Sequence, residues 1–246
     1  MSYVSNQQLG TLQGYHLKEA VHEMNIIAPI NHSVQYHQYR RISITLRHAR
    51  PLDDKRRIAE LIYQSDSHIF SYWFKNNRED AIKHLVTLIS TPGSYFDLRN
   101  IWVITEASNL CGFMLVVAND SLLSCDYQQF NNISEEYWQI VQNIILPDTR
   151  EAQLLPNATI YLAYFAIDAE YRRQGIGTWA CQSLISLLTE YGYQVFRLYC
   201  RSDNPAADLY KRLGFECTET FESFQCDAAQ PLECYTMEYD ASTVAN

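Results

Sequence analysis

The stretch YFAIDAEYRRQGIGTWA, residues 164–180, narrows the choice of folds more than any other part of the chain. It continues the strand-like run TIYLAYFAI, Thr159 to Ile167, and leads into a helical pattern, Gly175 to Tyr191, with Ala180, Leu184 and Leu187 or Leu188 on one stripe. Strand, turn and helix are therefore contiguous. Gly175 and Gly177 remove side chains where the chain must turn tightly. The amides of Arg173, Gln174, Gly175, Ile176, Gly177 and Thr178 can then face one anion at a helix N-terminus. Arg172 and Arg173 add positive charge at the rim. A lone GxG before a helix is a weak signal, since glycine also starts helices for steric reasons. The chain has neither GxGxxG nor GxxxxGK[ST], so dinucleotide and nucleoside-triphosphate folds lose most of their support.

The flanking patterns set this turn inside one α/β domain with a mixed sheet. ISITLRHA, residues 42–49, alternates as a strand, and Pro51, Asp53 and Asp54 open a helical pattern through Ile58, Leu61 and Ile62. A second helix is predicted near Glu79 to Ser90, with Ile82, Leu85, Val86 and Ile89 on one stripe before the Pro92-Gly93 breaker. Trp102 to Glu106 and Cys111 to Ala118 read as two strands, joined by a polar bend at Ser108 and Asn109 suited to an antiparallel hairpin. After the glycine turn and its helix come a strand at Val195 to Cys200, a short helix at Pro205 to Leu213, and closing strands at Phe215 to Phe224 and Leu232 to Tyr239.

Two segments stand apart. Residues 1–41 are a polar N-terminal arm, and residues 119–157 read as an insertion into the 42–240 domain. The insertion carries one amphipathic helix with Trp138, Val141 and Ile145 on a face. That face must be covered by the same chain, by a second copy in a homodimer, or by closing over the site as a lid.

Composition removes several function classes. A formal charge of −9 disfavours nucleic acid as a partner, because phosphate binding needs a basic face. The apolar run Leu110 to Ala118 is about half of the roughly 20 residues a helix needs to cross a bilayer, so no membrane segment is assigned. MSYVSNQQLG lacks the basic start and apolar stretch of a secretion signal, and the expected compartment is cytoplasmic. Cys111, Cys125, Cys181, Cys200, Cys217, Cys226 and Cys234 form no CxxC pair and read as small buried hydrophobes; no disulfide or metal site is assigned. His16, His22, His32 and His37 in the arm have no metal-like spacing.

About thirty residues beyond the glycine turn lies RSDNPAADLYKRLGF, residues 201–215. Together the two stretches resemble the GNAT superfamily of N-acetyltransferases, known for a Q/R-x-x-G-x-G/A turn followed by an N-x-x-A-x-x-Y-x-x-x-G-F segment. Both occur in the family's order, and the resemblance covers about residues 42–240. It implies a mixed, mostly antiparallel central sheet flanked by helices, acetyl-CoA as cofactor, and acetyl transfer by direct attack of a primary amine, that of a small molecule, on the thioester. It further implies that Arg172 to Thr178 hold the coenzyme A pyrophosphate, and that the backbone at Phe165 and Ile167 bonds the pantetheine arm in a wedge between the fourth and fifth strands. Asn204 and Ala207 would lie against the cofactor, Arg212 would reach the nucleotide phosphate, and Tyr210 would lie near the sulfur and assist thiolate departure. Two other readings share this fold: a coenzyme A-binding sensor without turnover, and acyl transfer to a hydroxyl or a protein N-terminus.

One position departs from the family. Where part of it places a glutamate general base early in the fourth strand, this chain has Tyr161, a poor base at neutral pH. Asp66, Glu106, Asp120 and Glu136 are other carboxylates that could serve, and Tyr72 and Trp73 are candidates to line the acceptor cleft.

Overall fold

The structure, a computed structural model, describes residues 44–119, 142, 154–156, 158–223 and 232–243. The arm and the Trp138 helix of the insertion lie outside the described residues. The described strands are β1 (Ile44–His48), β2 (Ile101–Glu106), β3 (Asn109–Ala118), β4 (Thr159–Ile167), β5 (Val195–Arg201), β6 (Glu216–Ser223) and β7 (Leu232–Asp240). They make one sheet in the order β1-β2-β3-β4-β5-β7-β6. Every neighbouring pair is antiparallel except β4 and β5, which run parallel. The predicted mixed, mostly antiparallel sheet is therefore present, and β2 and β3, apolar on both faces, lie inside it.

Helices cover both faces. On one side lie α1 (Lys55–Ser65), α2 (Ser67–Trp73) and α3 (Arg78–Ile89), which bury Ile58, Leu61, Phe70 and Leu85 against Val103, Phe113 and Tyr164. On the other, α4 (Ile176–Glu190) and α5 (Ala206–Arg212) bury Trp179, Leu184 and Tyr210 with Met114, Ile160, Leu198 and Met237. Each helix of the first layer starts on a side-chain cap: Asp54 accepts from the Arg57 amide, Asp66 from Ile69, and Asn77 from Asp80. Helix α2 is an element that periodicity did not single out. It is short, and it exists because Asp66 ends α1 and caps the next turn, letting Ile69, Phe70 and Trp73 bury together. Trp73 is accordingly core, whereas Tyr72 is half exposed.

Two irregularities in β4 shape the middle of the sheet. Leu115 pairs with Tyr164 but the next β3 residue, Val116, pairs with Leu162, so Ala163 is an extra residue, a β-bulge. The bulge switches the alternation: Ile160 and Leu162 join the α4 side, and beyond it Phe165 and Ile167 join that side while Tyr164 and Ala166 face α1. Just before the bulge β4 also leaves its neighbour β5. It pairs with β5 only from Thr159–Val195 to Tyr161–Arg197, although both strands run on, to Ile167 and Arg201. The strands diverge into an open wedge.

Candidate functional site: the wedge between β4 and β5

The glycine turn closes one side of the wedge. Arg173 and Gly175 both take left-handed backbone angles, with φ of 59° and 77°, and Gly175 is the residue from which α4 starts. No side chain caps that helix, and its first internal bond runs from the Trp179 amide to the Gly175 carbonyl at 3.0 Å. The amides of Ile176, Gly177 and Thr178 therefore have no partner within the helix, and the positive end of a four-turn dipole accompanies them. An anion fits this donor set.

Side chains of the same turn act as braces. The Nε of Arg172 donates to the Ile167 carbonyl at 2.8 Å, and the Gln174 amide donates to the Glu170 carbonyl at 3.0 Å. The Ile167 carbonyl thus already accepts one bond from within the chain. Ile176 is buried in the core, so its contribution to a ligand is confined to its backbone. Arg173 and Arg212 are exposed. At Gly177 an added β-carbon would lie 3.5 Å from Phe165, 3.6 Å from Leu209 and 3.7 Å from Ile167, which are ordinary contacts. The glycine is thus not demanded by crowding within the chain.

The second motif closes the other side. Asn204 is exposed; its Oδ1 accepts from the Ala206 amide at 2.9 Å and its carbonyl from Ala207, also at 2.9 Å, shaping the start of α5. Ala207 and Tyr210 are buried. The Tyr210 ring meets Phe215 edge-on at 5.6 Å, and the Tyr210 carbonyl accepts from the Phe215 amide at 3.0 Å. Burial, helped by the nearby thiols of Cys181 and Cys200, holds the Tyr210 phenol well above its ordinary pKa. It stays protonated at neutral pH. Those two thiols are themselves pushed up, to about 12 and about 11, by burial, as expected of inert core cysteines.

The opposite face of the wedge holds residues the motifs did not point to. In β5, Phe196, Leu198 and Cys200 belong to the α4-side core, so Arg197, Tyr199 and Arg201 face the α1 side. Tyr199 meets Tyr161 edge-on at 5.5 Å and Phe221 of β6 at 5.5 Å, giving a row of three rings across the sheet. Arg197 is ion-paired with Glu238 and stands 5.8 Å over the Tyr199 ring. The alternation in VFRLYCR was the available signal for this face. Of the four carboxylates considered as bases, Glu106 ends β2 opposite Asn109, at the hairpin, while Asp66 lies at the α1–α2 junction close to Arg201. Asp120 and Glu136 lie outside the described residues. Among the described residues no group of three or more His, Cys, Asp or Glu is placed to hold a metal, and no helix is long and apolar enough to cross a membrane.

Residues 97–215, which contain both motifs and the strands that form the wedge, match the family model described as acetyltransferase (GNAT) family. A search of curated proteins by sequence finds no match. Among solved structures, an N-acetyltransferase from Staphylococcus aureus superposes with a TM-score of 0.60 at 21% identity, covering 79% of this chain and 100% of that one. A Drosophila melanogaster polyamine N-acetyltransferase gives 0.56 at 11% identity, covering 80% and 99%. A Salmonella typhimurium protein whose structure holds its cofactor acetyl-CoA gives 0.50 at 16% identity, covering 82% and 96%. With the sheet order, the β4 bulge, the wedge and both motifs in place, the chain has the fold of the GNAT superfamily of acetyltransferases, and its residues 97–215 match that family's model.

Proposed function

We propose that the protein is an acetyl-CoA-dependent N-acetyltransferase that transfers directly to the primary amine of a small molecule. The observation that carries this reading is convergence: Gly177 in the uncapped first turn of α4 meets Phe165 and Ile167, on the part of β4 that has left β5, and Leu209 of α5, the short helix that also carries the buried phenol of Tyr210. The acetyl-CoA held by the Salmonella structure supports the same cofactor.

The amides of Arg173, Gln174, Gly175, Ile176, Gly177 and Thr178 would hold the diphosphate, with Arg172 and Arg212 supplying charge. Phe165 and Ile167 lie on the part of β4 that has left β5, where an amide-bearing chain can add as a partial strand. Asn204 and Ala207, at the start of α5, would lie against the cofactor. Acetyl-CoA supplies an acyl group activated as a thioester. Tyr210 keeps its proton because its surroundings are dry, and it can donate to sulfur as negative charge develops there. No covalent intermediate on the chain is required.

The test is thiol release from acetyl-CoA across a panel of amines, alcohols and short peptides, with calorimetry for coenzyme A. Release proportional to enzyme with amines supports the proposal. Binding without release with any acceptor would make the chain a sensor, and release with alcohols or peptides alone would move it to the other acyl-transfer class.

A further inference from the structure

We propose that Arg57 of α1 is a positioning residue for coenzyme A, acting through Asp168: its ion pair with that aspartate fixes the end of β4, and with it the place from which the diphosphate turn starts. This deepens the reading above and rests on it.

The pair joins remote parts of the chain. Asp168 directly follows β4, and Arg57 lies in the first turn of α1, 111 residues earlier. The bridge runs from Arg57 Nη2 to Asp168 Oδ2, with the two side chains 32% and 13% exposed. At that burial solvent and salt screen it less than an ion pair out on the surface.

The direction of the Asp168 carboxylate is not set by its own turn. Asp97 and Asp168 occupy equivalent places, each just before a short 3-10 turn, Leu98–Asn100 and Ala169–Tyr171, with φ and ψ of −51° and 141° in one and −54° and 144° in the other. Asp97 uses its carboxylate locally and accepts from the Arg99 amide at 3.0 Å, the ordinary habit of an aspartate there. Asp168 caps nothing in its turn and bonds Arg57 instead. With residue type and backbone held equal, the long-range pair takes the place of the local cap.

The turn depends on this anchor. The Asp168 amide donates to the Cys111 carbonyl at 2.9 Å, and the Asp168 carbonyl accepts from the Tyr171 amide at 2.9 Å. Further along, Arg172 bonds back to Ile167 and Gln174 back to Glu170, so the turn is braced on the segment that Asp168 belongs to. Arg173 sits in the left-handed region at φ 59°, a conformation that a residue with a β-carbon keeps only where its surroundings hold it.

Arg57 is itself held in place. Asp54 accepts from its amide at 3.0 Å, and its guanidinium also bonds Glu60 at 3.0 Å. Its sequence neighbour Arg56 reaches a different element: it makes two bonds of 2.9 Å with Glu79 of α3, in an exposed pair. Adjacent arginines on one helix thus serve two elements, and only Arg57 reaches the end of β4.

The experiment measures coenzyme A affinity by calorimetry, and amide hydrogen exchange of the unliganded protein by NMR, in wild type, Arg57→Met, Asp168→Ala, the double variant, Arg57→Lys and Arg56→Met. Arg57→Met and Asp168→Ala should each raise the coenzyme A Kd about tenfold. The double variant should lose no more than either single one, because both remove the same pair. Arg57→Lys keeps the charge without the fork and should recover part of the loss. Arg56→Met should bind as wild type does. The Tyr171 and Arg172 amides, bonded within the 3-10 turn, should exchange about tenfold faster in Arg57→Met, with the Leu184 amide of α4 unchanged. A folded Arg57→Met protein with wild-type affinity and exchange would overturn the proposal. So would an additive loss in the double variant, or an equal loss in Arg56→Met, since either would trace the effect to a general loosening of α1. If Arg57→Met does not fold, Arg57→Lys carries the same two measurements, and wild-type values in it together with wild-type affinity in Asp168→Ala would overturn the role. A wild-type chain that does not bind coenzyme A would sink the proposed function, and this role with it.

Discussion

Phe165 of β4 and Gly177 of α4 face each other, with the end of the phenylalanine ring 3.5 Å from where a β-carbon on the glycine would stand. The chain itself leaves room for that carbon. Gly177→Ala should therefore fold, and because alanine is favoured over glycine inside a helix by about 1 kcal/mol, its Tm should match or exceed the wild-type value. The same methyl group would occupy space beside the unpaired amides of α4, so coenzyme A affinity should fall at least about tenfold, a loss of about 1.4 kcal/mol. Calorimetry together with a thermal melt reads both effects. Gly175 is a poorer position for this test, since its φ of 77° makes any side chain there strain the backbone. A stable Gly177→Ala protein with unchanged affinity would remove the diphosphate from this turn.

Tyr210→Phe keeps the ring against Phe215 and deletes only the donor. Turnover should fall by about 10 to 10³-fold with coenzyme A affinity nearly constant, since the hydroxyl is asked to act in the transition state rather than in binding. Burial holds the phenol protonated well above its ordinary value, so the wild-type profile should show no basic limb from Tyr210 up to at least about pH 10. Wild-type turnover in the variant at every pH would assign the hydroxyl no catalytic part.

Asp66 should also leave a mark on stability. Its folded pKa lies above the unfolded one, so the folded state gains from protonation, and stability is lost as pH rises through the folded value. Asp66→Asn removes that loss while retaining the α2 cap. Its Tm should exceed that of wild type at pH 7, and the difference should shrink as pH falls below the ordinary carboxylate range. A variant less stable than wild type at pH 7 would mean that the charge helps to hold the fold.

His48 acts in the opposite sense. It lies against Trp102 with ring centroids 3.9 Å apart, and burial lowers its pKa to about 4, against a smaller upward effect of the backbone bond to Ile101. Its stabilising effect is complete above the unfolded histidine value of about 6.5 and is lost as pH falls toward about 4, by up to about 3 kcal/mol. His48→Phe should flatten that part of the stability curve, which denaturant titrations at pH 7, 5.5 and 4 would measure. An unaltered slope would show that other groups govern the acid response.

Several elements of the fold were legible because their causes are local. The β4 run, the α4 stripe and the closing strands follow from side-chain period, and the turn at Gly175 follows from the backbone angles glycine tolerates. The order and spacing of Asn204, Ala207, Tyr210 and Gly214-Phe215 were enough to mark the short helix α5 and the turn that follows it. Helix α2 was less legible: a short helix held by one cap and three buried side chains has too few residues to show a period.

What the sequence by itself determined, then, was most of the elements, the glycine turn that starts α4 and the resemblance to the family. Only the tertiary structure decided which residues meet. The extra residue at Ala163 reverses the face of everything after it in β4, and no local pattern marks it, because the bulge is defined by pairing with β3. The wedge exists because β4 and β5 stop pairing after Tyr161 and Arg197, a property of two strands remote in sequence. Asp66, Arg201 and Cys234 lie far apart along the chain, yet Arg201 and Cys234 pair across the sheet and the Asp66 carboxylate acts electrostatically on both. Electrostatic neighbourhood and desolvation belong to such arrangements in space, and so they are properties of the folded chain.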